Sequence, residues 1–292
     1  MKPPRFEYFD PTTVEAALDL LGEHGENAKV LAGGQSLMPL LNFRLIRPQV
    51  LVDLNGIGAL AYVRPCDGGL ALGALTRQRA LERSAVVRER CPLVAQAVPF
   101  IGHAAIRNRG TIGGTLAHAD PAAELPAVVT ALGGTLVLRS IRGERVLPAD
   151  RFFVSYLTTA AAPDEILVEV RLPGAGSRTG SAFQEVSRRH GDFALVGVAA
   201  IVSLGADDVC TAASVAVAGV GPVPLRVDDA TRLLLGEKPD ERTLAEVGRR
   251  VSEQLTPDAD LHASSEYRKQ VAGVLARRAL GEALGKARGG GA

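Results

Sequence analysis

Two short segments of this chain combine residue types suited to holding an anion. The first is Lys29-Val30-Leu31-Ala32-Gly33-Gly34-Gln35-Ser36-Leu37, and the second is Arg107-Asn108-Arg109-Gly110-Thr111-Ile112-Gly113-Gly114-Thr115. Each sets a glycine pair directly after, or within, an otherwise structured run. Glycine accepts positive φ and lets a ligand reach the backbone with no Cβ in the way. Successive N–H groups turned outward in such a bend form a concavity that favours negative charge. A helix opening near Ser36 would add its own unpaired N–H groups. Two such turns on different subdomains would grip a pyrophosphate from both sides. Taken singly, a glycine pair also suits an ordinary tight turn, the reading given to Gly68-Gly69 and Gly133-Gly134. Neither segment fits the GxGxxG dinucleotide fingerprint or the P-loop GxxxxGK[ST], which disfavours Rossmann and Walker sites. Spacing alone leads to a phosphate-bearing ligand and stops there.

The elements that must position these loops can be read from apolar periodicity. Thr12-Thr13-Val14-Glu15 offers a capping box, after which Val14, Ala17, Leu18 and Leu21 share one helical face; Gly22 and Gly25 are stop signals. A strand is expected over 28–31, a short helix capped by Ser36 through Leu41, and a second strand from Val50 to Leu54. This order describes a small α/β unit, residues 1–57. Beyond Leu60 the pattern changes. Alternating segments 60–64 and 70–74 flank a hairpin turn at Cys66-Asp67-Gly68-Gly69, and a helix is expected from Val87 to Val98. Asp120-Pro121 reads as the N-cap and first residue of a helix through Leu132, followed by strands near 135–139 and 166–172.

The stretch 173–180, Pro-Gly-Ala-Gly-Ser-Arg-Thr-Gly, is the best linker candidate. Strands follow near 182–186, 195–204 and 210–218. Two helices come next, with faces Leu244, Val247, Val251, Leu255 and then Tyr267, Val271, Val274, Leu275. Arg278 interrupts the second stripe, where the last helix is expected to turn to solvent. The fold class is α+β, in two domains: 1–175, divided near residue 57, and 178–286. Residues 287–292 are Gly-rich and read as a flexible tail.

Composition narrows the function. With 33 Lys+Arg against 32 Asp+Glu and 4% aromatic residues, the chain has neither the charge nor the stacking rings of a nucleic-acid binder. Cys66, Cys91 and Cys210 are isolated and lack metal-ligand spacing. They read as reduced thiols, and an iron–sulfur cluster held by this chain alone would normally need four. No metal site and no catalytic acid, base or nucleophile is evident. The N-terminus lacks the apolar core of a secretory signal, and the longest apolar stretch, 193–205, is too short to span a bilayer. The expected location is the cytoplasm.

Ala32-Gly33-Gly34-Gln35-Ser36 together with Thr111-Ile112-Gly113-Gly114 closely resembles the paired glycine loops of the FAD-binding medium subunit of molybdenum hydroxylases. Carbon monoxide dehydrogenase and the xanthine dehydrogenase FAD domain typify that family. The likeness runs along nearly the whole chain. It takes in Phe6-Glu7-Tyr8-Phe9-Asp10-Pro11, Ile106-Arg107-Asn108-Arg109-Gly110, Ala119-Asp120-Pro121-Ala122-Ala123-Glu124-Leu125-Pro126 and Tyr267-Arg268.

The resemblance implies a two-subdomain FAD-binding fold of the PCMH type, then a three-stranded antiparallel sheet packed with helices. It implies noncovalent FAD, with the diphosphate held by Ala32, Gly33, Gly34, Gln35 and Ser36 and by Thr111, Ile112, Gly113, Gly114 and Thr115. Lys29 and Leu37 border the first loop; Gly102 and Leu167 match positions near the cofactor; Glu124 matches a carboxylate that binds cofactor hydroxyls. Two departures bear on the flavin ring: Gln184 where the family often has Lys, and Phe193 where it often has a Tyr-type residue. Molybdopterin would reside on a large partner subunit and two [2Fe-2S] clusters on a small one, the whole forming a dimer of heterotrimers. In that assembly this chain would take electrons from the iron–sulfur subunit and pass them to an external acceptor. The alternatives are a stand-alone FAD-dependent reductase or oxidase of the same fold and a non-catalytic nucleotide-binding protein.

Overall fold

A computed structural model describes residues 2–289. The chain opens with β1 (Glu7–Phe9), α1 (Val14–His24), β2 (Ala28–Leu31), α2 (Leu37–Asn42) and β3 (Val50–Asp53). β3 lies between β1 and β2 and is parallel to both. Thr13 caps α1 by accepting from the Ala16 N–H, and Val14, Ala17, Leu18 and Leu21 are buried, as their spacing predicts. The helix ends at Gly25, where φ is +51°. α2 begins after Ser36, but the Ser36 hydroxyl makes no capping bond. That departure leaves the start of α2 without a side-chain acceptor of its own.

The second subdomain contains β4 (Val63–Cys66), β5 (Gly69–Gly73), α3 (Gln78–Arg83), α4 (Ala85–Arg90), α5 (Pro92–Ala97), α6 (Ala104–Arg109), α7 (Ile112–His118) and α8 (Glu124–Ala131). It continues through β6 (Thr135–Ser140), β7 (Gly143–Pro148), α9 (Ala149–Phe152), β8 (Phe153–Ser155), β9 (Thr158–Thr159) and β10 (Ile166–Pro173). An antiparallel sheet of order β4-β5-β10-β6-β7 carries the helices on one face. Two helix expectations are corrected. The helix expected over 87–98 is broken, because Pro92 has no N–H to continue a ladder and Cys91 leaves helical geometry at φ −136°, ψ 65°. The helix expected from Asp120 begins at Glu124 instead. Asp120 spends its carboxylate on a local turn, accepting from the Ala122 N–H at 2.9 Å.

Residues 174–178 lead into β11 (Thr179–Ser187), β12 (Ala194–Leu204), β13 (Cys210–Ala218), β14 (Leu225–Arg226), α10 (Asp228–Thr231), α11 (Glu241–Gln254) and α12 (Ser265–Arg288). The antiparallel sheet runs β11-β12-β13, with the two-residue β14 added at its edge. Strand alternation gives this sheet two working faces. Phe183, Ala199, Ala216 and Ala218 enter the core of the second subdomain. Ala182, Val196, Val198, Ala200, Val215 and Val217 pack instead against α11 and α12.

α12 also departs from expectation. Leu275 is buried and Val271 half-buried against the core as expected, but Tyr267 and Val274 are exposed, and the buried face runs on through Ala272, Ala276, Ala279, Leu280, Ala283 and Leu284 to Ala287. Small side chains let the helix approach so closely that a Cβ on Gly180 would fall 1.9 Å from the Ala283 carbonyl oxygen. Arg278 therefore does not turn the helix outward, and residues 287 and 288 are helical. The rest of the expected tail, 290–292, lies outside the described residues. Among the described residues no helix is long and apolar enough to cross a membrane.

Candidate functional site

The first glycine loop leaves the end of β2 and enters α2. Gly34 sits at φ +73°, the left-handed bend that only glycine adopts without strain. Among the described residues, the N–H groups of Gly33, Gly34, Gln35, Ser36 and Leu37 donate to no protein acceptor. Gln35 folds back, its Nε2 donating to the Gly33 carbonyl at 3.0 Å, which braces the turn without using any of those amides. Five consecutive free donors around a left-handed glycine are the chemistry a diphosphate needs. The first loop fits the group the resemblance implies.

The second glycine segment is not the turn its sequence suggests: Thr111 caps α7, and Gly113 and Gly114 lie in the first turn of that helix. Its amides are already engaged: Ile112 to the Thr76 carbonyl, Gly113 to the Ala74 carbonyl, Gly114 to the Thr111 hydroxyl and Thr115 to the Thr111 carbonyl, at 2.8–3.1 Å. The glycines here serve packing. A Cβ on Gly113 would lie 2.5 Å from the Ala74 Cβ and 2.7 Å from its carbonyl oxygen. Gly33 behaves in the same way, since its Cβ would lie 2.5 Å from the Arg109 carbonyl oxygen and 2.8 Å from the Gly110 Cα. The sequence reading gave both glycines to ligand approach; the structure gives them to contact within the chain. Gly114 is half-buried, and a Cβ there would stand 3.6 Å from the Ala32 Cβ. The two loops, from different subdomains, thus touch.

A polar strut that sequence reading missed holds them in place. Asn55 donates its Nδ2 to the Ala32 carbonyl at 2.8 Å and accepts on Oδ1 from Arg77 at 2.6 Å. Arg77 also donates to the Arg109 carbonyl in the second loop. Asp53 anchors the first end, accepting from the Asn55 N–H and from the Tyr8 hydroxyl. Burial lowers the Arg77 pKa, with the Arg109 charge adding to the effect. Asn55 and Arg77 lie 22 positions apart, and nothing in either local sequence marks them as partners.

The remaining candidates scatter around this contact. Lys29 is exposed on β2, and Leu37 opens α2 directly after the free amides. Gly102 has φ +47° and lies beside Gly191 and His103, so the loop before Phe193 folds against it. Phe193 is 62% exposed. Leu167 is buried at a bulge in β10, in the same core as Ile112 and Leu116. Glu124 is 4% exposed at the start of α8, and burial pushes its carboxyl up to about 7. Gln184 is not brought to this region: its amide donates to Glu282 of α12 at 2.7 Å, on the far face of the C-terminal sheet. The strand residue facing the first domain is Glu185, on the Phe183 side. Arg107, which leads into the second segment, is buried, pairing with Glu82 at 2.9 Å and donating to the carbonyls of Ile101 and Gly102.

Comparison with known proteins follows the same lines. Residues 4–175 match the family described as the FAD binding domain in molybdopterin dehydrogenase, and 181–283 match the CO dehydrogenase flavoprotein C-terminal domain. The chain is 43% identical to the 6-hydroxypseudooxynicotine dehydrogenase complex subunit alpha of Paenarthrobacter nicotinovorans, over 99% of this chain and 97% of that protein. It is 40% identical to the caffeine dehydrogenase subunit beta of a Pseudomonas species, over 97% of this chain and 96% of that one. Among solved structures, a carbon monoxide dehydrogenase chain from Hydrogenophaga pseudoflava superposes with a TM-score of 0.95 at 35% identity, covering 98% of this chain and 99% of that one.

Proposed function

The chain belongs to the family of FAD-binding subunits of molybdenum hydroxylases, and on that premise we propose that it is the electron-transferring flavoprotein of a multi-subunit dehydrogenase. The observation that carries the site assignment is the run of five free N–H groups from Gly33 to Leu37. Ala32, Gly33, Gly34, Gln35 and Ser36 hold the FAD diphosphate. Thr111, Ile112, Gly113, Gly114 and Thr115 form the opposing wall, held against the first loop by Asn55 and Arg77. Lys29, Leu37, Gly102, Glu124, Leu167 and Phe193 complete the surround, and Gln184 drops out of it. The bound cofactor supplies the redox chemistry, accepting electrons and releasing them to an external acceptor. The chain contributes position, electrostatics and exclusion of water.

Electrons reach the site from partner subunits. The relatives are named as subunits of dehydrogenase complexes, and the medium chain of carbon monoxide dehydrogenase is 35% identical over 97% of this chain. In the proposed assembly a large subunit carries molybdopterin and a small one carries [2Fe-2S] clusters, arranged as a dimer of heterotrimers in the cytoplasm. Its three thiols are free: Cys66 is exposed, while Cys91 and Cys210 are buried. Flavin uptake tests the reading. The purified chain should carry FAD, or acquire flavin absorption on reconstitution; colourless protein that takes up no flavin refutes it.

A further inference from the structure

Gln78, the first residue of α3, is 2% exposed and lies behind the second glycine segment. Its backbone N–H donates to the Gly110 carbonyl at 2.9 Å, and its side-chain Nε2 donates to the Thr115 hydroxyl at 2.8 Å. One residue thus holds both ends of the stretch 110–115. Its carboxamide passes so close over Gly110 that a Cβ there would fall 2.4 Å from Oε1 and 2.7 Å from Cδ. At φ −56° the Gly110 backbone itself makes no demand for glycine; the space that Gln78 occupies does.

The amides of Ile112, Gly113, Gly114 and Thr115 are committed to acceptors within the chain. From 112 to 115, the one group left to donate outward is the Thr115 O–H. The hydroxyl of Thr111 is closed off, since that residue is 1% exposed, whereas Thr115 is half-buried. Among the described residues Thr115 Oγ1 has a single partner, the Gln78 amide. A hydroxyl that accepts from an amide has its own proton free to give elsewhere. The Gln78 Oε1 is buried with no partner, so the side chain spends its one side-chain bond on Thr115.

We propose that Gln78 is a positioning residue of the FAD site: by donating to Thr115 Oγ1 it aims the Thr115 hydroxyl proton outward, as a donor to the cofactor diphosphate. The inference rests on the FAD assignment above. Its carrying observation is a buried amide spent on a half-buried hydroxyl, in the wall opposite the five free N–H groups. Hydrogen bonds in a chain polarise one another, so the bond that Thr115 accepts makes its own proton a better donor. A charged acceptor makes the outward bond about twice as strong as a neutral one. Without Gln78, the hydroxyl is free to turn back to the Thr111 carbonyl, four residues earlier in the same helical turn. Gln78 acts through Thr115 and is not itself a ligand group.

The test is a double-mutant cycle on FAD binding by the deflavinated full-length chain, read by flavin fluorescence, with Thr115→Val and Gln78→Met. Both substitutions stay close to the original shape, and circular dichroism first establishes that each variant is folded. Thr115→Val should weaken FAD binding about 12- to 150-fold, the range for a hydrogen bond to a charged group. Gln78→Met should weaken it about 2- to 12-fold, the range for a neutral hydrogen bond. In the Thr115→Val background, Gln78→Met should cost nothing further, because the group through which it acts is gone. Thr115→Ser keeps the hydroxyl and should restore most of the affinity that Thr115→Val loses. An equal loss from Gln78→Met in both backgrounds, or no loss in either, overturns the proposal. So does tighter binding by Gln78→Met, which would mean that Gln78 holds the Thr115 proton inward, and so does wild-type affinity in Thr115→Val. If Gln78→Met does not fold, the shorter Gln78→Asn, whose amide cannot reach Thr115, takes its place in the cycle. A wild-type chain that binds no FAD refutes the cofactor assignment itself, an outcome distinct from all of these.

Discussion

Gly33→Ala separates two explanations for the first glycine pair. If the glycine exists to admit a ligand, alanine harms FAD binding and leaves the free protein alone. The structure requires the opposite order of events, because the new Cβ would lie 2.5 Å from the Arg109 carbonyl oxygen, where ordinary contact begins near 3.4 Å. Both clashing atoms, that oxygen and the Gly110 Cα, belong to backbone and cannot swing aside as a flexible side chain would. The loops must part by about 0.9 Å, and overpacking of this kind costs about 1–3 kcal/mol. Parting also strains the Asn55–Arg77 strut, whose two ends grip the Ala32 and Arg109 carbonyls. Urea unfolding of the FAD-free protein should therefore show a loss of about 1–3 kcal/mol with unchanged m-value. FAD affinity should fall by about 5- to 150-fold, the same range read as a binding constant. Gly33→Ala that leaves the free protein at wild-type stability while abolishing FAD binding would refute the packing argument.

Arg77→Ala removes the donor to the half-buried Asn55 Oδ1 and the exposed Arg109 carbonyl; at about 0.5–1.5 kcal/mol for a hydrogen bond lost, FAD titration should show affinity about two- to twelvefold weaker. Gln184→Lys should leave both FAD affinity and flavin potential unchanged in a spectroelectrochemical titration, because position 184 faces Glu282 and α12. Arg268→Met removes a buried guanidinium that holds the carbonyls of Leu195 and Gly219 and pairs with the half-exposed Asp260, and chemical denaturation should report a loss of about 1–3 kcal/mol from the stranded carbonyls. The FAD-free protein should lose stability as pH rises from about 5 to about 8. The folded state raises Glu124 and Glu185 above their ordinary values, so it favours their protonated forms, and that advantage is complete at low pH and disappears through the raised values. Thermal denaturation across that range checks the sign, and Glu185→Gln should flatten its upper part.

The elements legible in the sequence were those whose burial rests on large apolar side chains. Val14, Ala17, Leu18 and Leu21 of α1, and Leu244, Val247 and Val251 of α11, mark their faces because hydrophobic spacing and burial coincide there. The face of α12 is only half legible, with Val271 and Leu275 packing inward, for the complementary reason. Its buried face is largely alanine, chosen for close approach, while Tyr267 and Val274 look like core residues and remain exposed. The family resemblance drawn from the two glycine loops is borne out along the chain. That reading depended on residue types at fixed local spacing, which a sequence displays directly.

The sequence by itself determined that two glycine-rich segments exist, that the first is a turn preceding a helix, and that the chain holds three isolated cysteines. Only the tertiary structure decided what those glycines are for. Gly34 bends the first loop so that five amides face outward, whereas Gly33 and Gly113 let backbones from distant parts of the chain meet. It also joined Asn55 to Arg77 and turned Gln184 away, onto Glu282 of α12. Local conformation follows from local residue types, but desolvation and contact depend on which atoms folding brings within a few ångströms. Those atoms lie tens of residues apart, and no local pattern records their meeting.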